Sequence, residues 1–148
     1  MTIHRIPQPG TPGPSALLRA DALALFLFSV ATRNPHRVHY DKTWATDVEG
    51  LQDVVVHGPL HAARFSALLE GWMPTGSHIL TFRVRQEGAA FVNEDVRYES
   101  TVERVVDRSD AAEVTVSLRA RVGDRAVARA EAVVAWTLTP GAGPIAEQ

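Results

Sequence analysis

The spacing of apolar positions changes character near the middle of the chain. Residues 22–31 read ALALFLFSVA, with Leu25, Phe26, Phe28 and Val30 inside a run that is apolar on nearly every side. Such a run predicts a helix buried on most of its faces. Asp21 stands where an N-cap is wanted, and Pro35 sets the limit the helix cannot pass. A short helical turn over 42–47 follows, opened by Asp41 and closed by Gly50, and Asp53-Val54-Val55-Val56 forms a brief extended approach. His57-Gly58-Pro59 then opens the clearest helix. Pro59 falls in its first turn, where a missing N–H costs nothing. Leu60, Ala63, Ala67 and Leu68 recur at helical spacing, and Gly71 ends the run.

The second half alternates with a period of two. Leu80, Phe82 and Val84 alternate with Thr81, Arg83 and Arg85. Val96, Tyr98 and Val102 mark a strand region over 91–106. Val114, Val116, Leu118, Ala120 and Val122 alternate with Thr115, Ser117, Arg119 and Arg121. Gly123-Asp124 is a two-residue hairpin signal, and a last strand runs over 126–138, with Trp136 and Leu138 on one face. Long strands with one apolar face need a cover. The two apolar helices supply it, which predicts an α+β layout with a curved antiparallel sheet wrapped around a central helix.

Composition narrows the function classes. The chain has 148 residues, enough to bury roughly 68–70% of its unfolded surface in one core. Fifteen basic residues face 17 acidic ones, for a net charge of −2, which disfavours a nucleic-acid partner. There is no cysteine, so disulfides, thiolate metal sites and cysteine nucleophiles are excluded. Residues 22–31 imitate a signal peptide, but Asp21 abuts the run and Pro7, Pro9, Pro12 and Pro14 occupy the would-be charged region. The run is also shorter than the ~18 apolar residues of a membrane span. We therefore expect a cytoplasmic protein without membrane attachment. Residues 1–15 are expected to be a mobile Pro/Gly-rich arm, 16–139 a single domain, and 140–148 a disordered tail.

The chemistry gathers where the first helix ends. Asn34, His36, Arg37, His39, Tyr40 and Asp41 crowd around Pro35, and polar groups at the end of a buried helix are costly unless satisfied. Capping residues and surface histidines are the plain reading of such a knot, and a site is the other. The segment 54–60, VVVHGPL, adds the second piece. Its Gly-Pro step leaves backbone N–H groups at a helix start, where the helix dipole suits a developing oxyanion, and Gly58 permits close approach. His4, His61 and His78 show no metal-ligand spacing, so no metal and no redox cofactor is expected.

Together, FSVATRNPHRVHYDKTWA and, about a dozen residues on, VVVHGPLHAA resemble the hot-dog-fold acyl-thioester hydratases and dehydratases of the MaoC-like group. The His36-Arg37-Val38-His39-Tyr40-Asp41 run looks like the type 2 hydroxyacyl-thioester dehydratases and the mesaconyl-CoA hydratase-like branch. The resemblance covers roughly residues 18–69. It implies a hot-dog fold acting on a thioester of coenzyme A or acyl carrier protein. The implied reaction is reversible hydration of a trans-2-enoyl thioester, straight, branched or dicarboxylic, to the (R)-3-hydroxyacyl thioester. His39 is then the general base and the Gly58 N–H the oxyanion donor. Asn34 falls where the wider group has Asp. It can position water but cannot act as a base, which suggests one-base chemistry.

Other residues carry open alternatives. His57 and Pro59 either line the substrate pocket or shape the helix start. Tyr40 is a candidate substrate contact. Asp41 either meets substrate or caps the next short helix. Arg85 either pairs with a phosphate or carboxylate of the substrate or faces solvent. Two other functions compete: a hot-dog thioesterase, for which Glu70 lies at the wrong end of the helix, and a non-catalytic subunit that completes a partner's pocket. A single hot dog is half of the usual functional unit, so a second copy or a related hot-dog subunit is the expected partner, paired edge to edge.

Overall fold

Nearly every second residue of the long strands is valine, leucine, alanine or an aromatic, and those residues, with Ser100, make one buried face of a sheet. The computed structural model describes residues 5–108 and 111–137. Five strands lie in the order β1-β3-β4-β5-β2, each antiparallel to its neighbours. They are β1 at Ala16–Arg19, β2 at His78–Gln86, β3 at Asp95–Asp107, β4 at Ala111–Val122 and β5 at Arg125–Thr137. Gly123, with φ of 55°, makes the tight turn from β4 to β5. Helix α1 spans Ala22–Ala31 and helix α2 spans Gly58–Trp72.

Helix α2 packs on β5 and β2 and buries one stripe, His61, Phe65 and Leu69, spaced four residues apart. The Phe65 ring meets Tyr98 of β3 edge-on at 5.4 Å, and Trp72 meets Trp136 of β5 at 4.7 Å. Leu60 and Leu68 flank the stripe, whereas Ala63 and Ala67, expected on the packed face, are exposed. The stripe is one residue off the expected one because His61 is a core residue. Its Nδ1 and the Tyr98 hydroxyl lie 2.6 Å apart, so a polar ring is satisfied in the core.

Three further expectations are corrected. Leu80 is 47% exposed rather than inward, because a bulge between Ile79 and Thr81 leaves it unpaired and puts Ile79 and Phe82 on the helix side. Helix α1 is not buried on most sides. Only Leu25, in the core, and Ser29, against His57, are buried, while Leu23, Phe26, Leu27 and Val30 are 49–65% exposed, since none of the described residues covers the rest of the helix.

The Pro/Gly-rich segment expected to be a mobile arm is docked along β3. Gly10 and Gly13 donate to the carbonyls of Val102 and Ser100 at 2.7 and 3.0 Å, and the carbonyl of Thr11 accepts from Val102 at 3.0 Å. Ser100 Oγ donates to the Pro14 carbonyl at 2.7 Å. Prolines are tolerated there because an outermost strand can turn its N–H-free positions to solvent. A side chain at Gly13 would meet Ser100 Oγ at 2.5 Å, so the close approach requires glycine. The segment leads directly into β1, a four-residue strand that the sequence pattern did not reveal. The expected tail, 140–148, lies outside the described residues.

Candidate active site

The site is built where α1 ends against the start of α2. Asp21 Oδ1 caps α1 by accepting the Ala24 N–H at 2.7 Å. At the other end Arg33 adopts φ of 52°, and the N–H groups of Arg33 and Asn34 reach back to Val30 and Ser29 at 3.2 and 2.9 Å. This is a Schellman closure with arginine at the left-handed position that usually holds glycine. The helix thus ends at Ala31, four residues before Pro35. Asn34 Oδ1 then accepts the His36 N–H at 3.1 Å, turning the chain into a 3-10 turn at Arg37–His39. The Asn34 amide nitrogen keeps its protons free of protein acceptors among the described residues, so it can hold water or a substrate oxygen.

His39 is half-buried. Its Nδ1 lies 2.8 Å from the Val55 carbonyl, which only accepts, so Nδ1 carries the proton and Nε2 carries the lone pair. Burial pushes the His39 pKa below the usual 6.5. The Val55 hydrogen bond opposes that, and the charge of His36 adds to it. Val55 is held in place by its own N–H on the Val38 carbonyl at 2.9 Å, and its neighbour Val56 donates to Ala90 at 2.8 Å. The imidazole is therefore uncharged at neutral pH, with its basic nitrogen turned away from Val55.

The His57 ring stacks on His39 with centroids 3.8 Å apart and planes 18° apart. His57 is fully buried, and its Nε2 lies 2.8 Å from Ser29 Oγ. With no exposed surface, it is packed behind His39. Next to it, Gly58 begins α2. The Gly58 N–H has no acceptor among the described residues and stands one residue from the stacked rings, while the Gly58 carbonyl accepts from Gln86 Nε2 at 3.0 Å. A Cβ on Gly58 would come within 3.2 Å of the Gln86 amide, which is why glycine fits here. Pro59 is exposed in the first turn.

Not every expected residue joins this group. Asp41 has both oxygens committed, Oδ2 to Arg37 at 2.5 Å and Oδ1 to the Trp44 N–H at 3.0 Å, so it caps the following turn. The Trp44 N–H and the Arg37 side chain together hold its carboxyl below the usual range. Arg85 lies on the outer face of the sheet, opposite Arg129 in register, because alternation along β2 turns Gln86 and not Arg85 towards Gly58. Glu70, near the far end of α2, accepts from Ser66 Oγ at 3.0 Å. Tyr40 donates to the Pro35 carbonyl at 2.8 Å and presents its ring to Phe26. A cleft of about 350 Å³ opens here, lined by Phe26, Ser29, Val30, Arg33, Asn34, Pro35 and Tyr40.

Sequence reasoning missed Ser29 and Gln86. Ser29 is the polar residue inside the apolar run of α1, four residues after buried Leu25, and that spacing is its signal. Gln86 shares the inward parity of Phe82 and Val84. Its position at the strand end against Gly58 depends on tertiary packing.

Burial pushes the pKa of both His57 and His61 down to about 4, with smaller contributions from His39 and from Arg64 respectively. Unfolding frees both to titrate near 6.5, so the unfolded chain binds more protons as pH falls from 6.5 towards 4. Stability is then full above 6.5 and is lost through that window, by up to about 1.4 kcal/mol per histidine for each unit of pKa difference. Thermal melts across this range should show Tm falling with pH. A Tm unchanged down to pH of about 4.5 would contradict the assignment.

The model of the hydroxyacyl-thioester dehydratase type 2 family matches residues 4–92, which include α1, the polar turn, α2 and β2. The chain belongs to that family. Mesaconyl-C(4)-CoA hydratase of Chloroflexus aurantiacus is 39% identical over 71 residues, 48% of this chain. The aligned part spans only 25% of that relative's length. Among solved structures, the (R)-hydratase of A. caviae involved in PHA biosynthesis superposes with a TM-score of 0.79 at 25% identity, covering 90% of this chain and 99% of that one. A chain of the ChsH1-ChsH2 complex from Mycobacterium tuberculosis gives 0.78 at 18% identity, covering 88% and 99%. This dehydratase-family chain therefore has the hot-dog fold, with α2 as the helix that the sheet wraps.

Proposed function

We propose that this chain adds water reversibly across the double bond of a trans-2-enoyl thioester, giving the (R)-3-hydroxyacyl thioester. The observation that carries the reading is the His39 Nε2 lone pair, left free by the hold of the Val55 carbonyl on Nδ1, on a ring stacked against His57, the residue before Gly58, whose N–H has no acceptor among the described residues. In the forward direction Nε2 takes a proton from water as the water oxygen bonds to C3. The electron pair of the double bond moves onto the thioester oxygen, where the Gly58 N–H and the α2 dipole stabilise it. The enolate collapses as C2 takes a proton back from the His39 imidazolium, so atoms and charge balance with one base. The Asn34 amide orients the water. Similarity to enzymes whose names are those of hydratases supports this reaction.

Arg33 is the cation among the residues of the cleft, whose other walls are largely apolar. It supports an acyl group that carries a carboxylate, as does the similarity to a mesaconyl-CoA hydratase. Arg33→Gly should relieve the left-handed backbone strain and raise stability by about 0.5–1 kcal/mol in chemical denaturation. It should also lower kcat/KM for a dicarboxylic enoyl-CoA while sparing a straight-chain one. Equal effects on both substrates would count against the carboxylate.

A second copy or a related hot-dog subunit fits the exposed apolar face of α1 and the outer strand β2, whose outward edge meets no other described strand. The test of the reaction is the loss of conjugated enoyl-thioester absorbance on mixing purified protein with crotonyl-CoA or a mesaconyl-CoA. Steady loss to an equilibrium is expected. No change with either substrate would overturn the reading.

A further inference from the structure

His57 is a residue that packing alone does not explain. It is fully buried, and its Nδ1 has no hydrogen-bond partner. A phenylalanine would fill the space without leaving a nitrogen desolvated and unpaired, and such a group in a native core asks for a reason. Its Nε2 is tied to Ser29 Oγ at 2.8 Å, and Phe28 meets the ring edge-on at 4.9 Å. Two consecutive residues of α1 thus fix the azimuth of a ring that belongs to the start of α2. The face so fixed carries His39 at 3.8 Å, nearly parallel.

We infer that His57 is a positioning residue for His39, a flat platform held by Ser29 that keeps the His39 imidazole in the plane where the Val55 carbonyl accepts its Nδ1–H. The inference rests on the hydration reading for the name of the reaction, but the geometry stands without it. His57 acts through His39 and does not touch substrate. Its stack also excludes water from one face of His39, which favours the uncharged base.

The titratable groups that face His39 are His57 on α2 and His36 on its own turn, with ring centroids 5.9 Å away. Charge on either would oppose charge on His39. Asp41, the nearest carboxylate in sequence, is turned to Arg37 and Trp44. His39 is therefore held as a base by burial and by its ring neighbours, and not by a carboxylate partner.

The test separates a platform from a plug in the core. His57→Asn keeps a partner for Ser29 and removes the ring. His57→Phe keeps a ring and removes the tether, and Ser29→Ala removes the tether alone. All three should lower kcat about tenfold or more with KM within about twofold. The pair His57→Phe and Ser29→Ala should together be no worse than either alone, because both break the same link. His57→Phe should melt within a few degrees of the wild type, since it removes the orphan nitrogen while leaving Ser29 Oγ without its partner. A plug predicts that His57→Phe keeps wild-type kcat, and that result overturns the inference.

Nitrogen NMR of the full-length protein reads the same point without turnover. In the wild type His39 should hold its proton on Nδ1 and titrate below 6.5. In His57→Asn the midpoint should rise towards 6.5. In Ser29→Ala and His57→Phe the bound Nδ1 form should weaken, which keeps the test alive if the Asn variant does not fold. Wild-type titration and tautomer in all the variants would refute the platform. A wild type without hydration activity would instead refute the proposed reaction and leave the NMR outcome to decide the platform.

Discussion

If His39 is the base of the proposed reaction, replacing it with alanine should lower hydration of an enoyl thioester by about a thousandfold, while Tm should move by only a few degrees. The size follows from the loss of a positioned base, which is worth roughly 100- to 10,000-fold. The small stability change follows from the placement of His39, which is half-buried and makes one side-chain hydrogen bond, to Val55. The oxyanion stabilisation proposed for Gly58 would survive in this variant, so a residual rate above solution is expected. Added imidazole should restore part of the rate by entering the vacated space. Turnover within about tenfold of the wild type would mean that His39 is not the base.

Replacing Phe65 with alanine should remove about 3–5 kcal/mol of stability, the range for a large aromatic side chain lost from a packed core. Phe65 is fully buried in the middle of the α2 stripe, against Tyr98, with Leu69 and His61 one turn to either side. The sheet cannot close on the gap, because β3, β4 and β5 are paired along most of their length. Urea denaturation measures the loss directly. Leu80→Ala is the control. A leucine placed outside by the β2 bulge should cost less than about 0.5 kcal/mol. If Leu80→Ala cost as much as Phe65→Ala, the alternation described for β2 would be wrong.

The two periods in the sequence carried the fold: alternation gave four strands, and the Gly-Pro start gave α2. What they did not carry has particular causes. The bulge at Leu80 inverts one position of an otherwise regular strand, and nothing local to His78–Gln86 announces it. The arm looked mobile because proline and glycine lack side-chain packing. Its order comes from backbone hydrogen bonds to β3, which composition does not record. The apolar run of α1 predicted a helix but not its exposure, since apolarity says that a surface wants a cover and not that this chain provides one.

The site divides in the same way. Asn34, His39 and Gly58 stand out as candidates because the order of residues around Pro35 and in 54–60 is dense with polar groups and carries a Gly-Pro helix start. His57 was visible as a neighbour of Gly58, but its stack on His39 depends on how two distant segments meet. Arg85 and Gln86 show the limit most sharply. They are adjacent, only one faces Gly58, and the parity of β2 decides which.

The most direct test of the proposed chemistry is to incubate the purified protein with trans-2-enoyl-CoA in heavy-oxygen water and identify the product. The account predicts an intact thioester bearing the label in a hydroxyl at C3, of (R) configuration, with the label absent in His39→Ala. Release of labelled free acid and CoA thiol would show a thioesterase, and recovery of unlabelled enoyl-CoA would show a subunit without chemistry of its own. Either result would contradict the account.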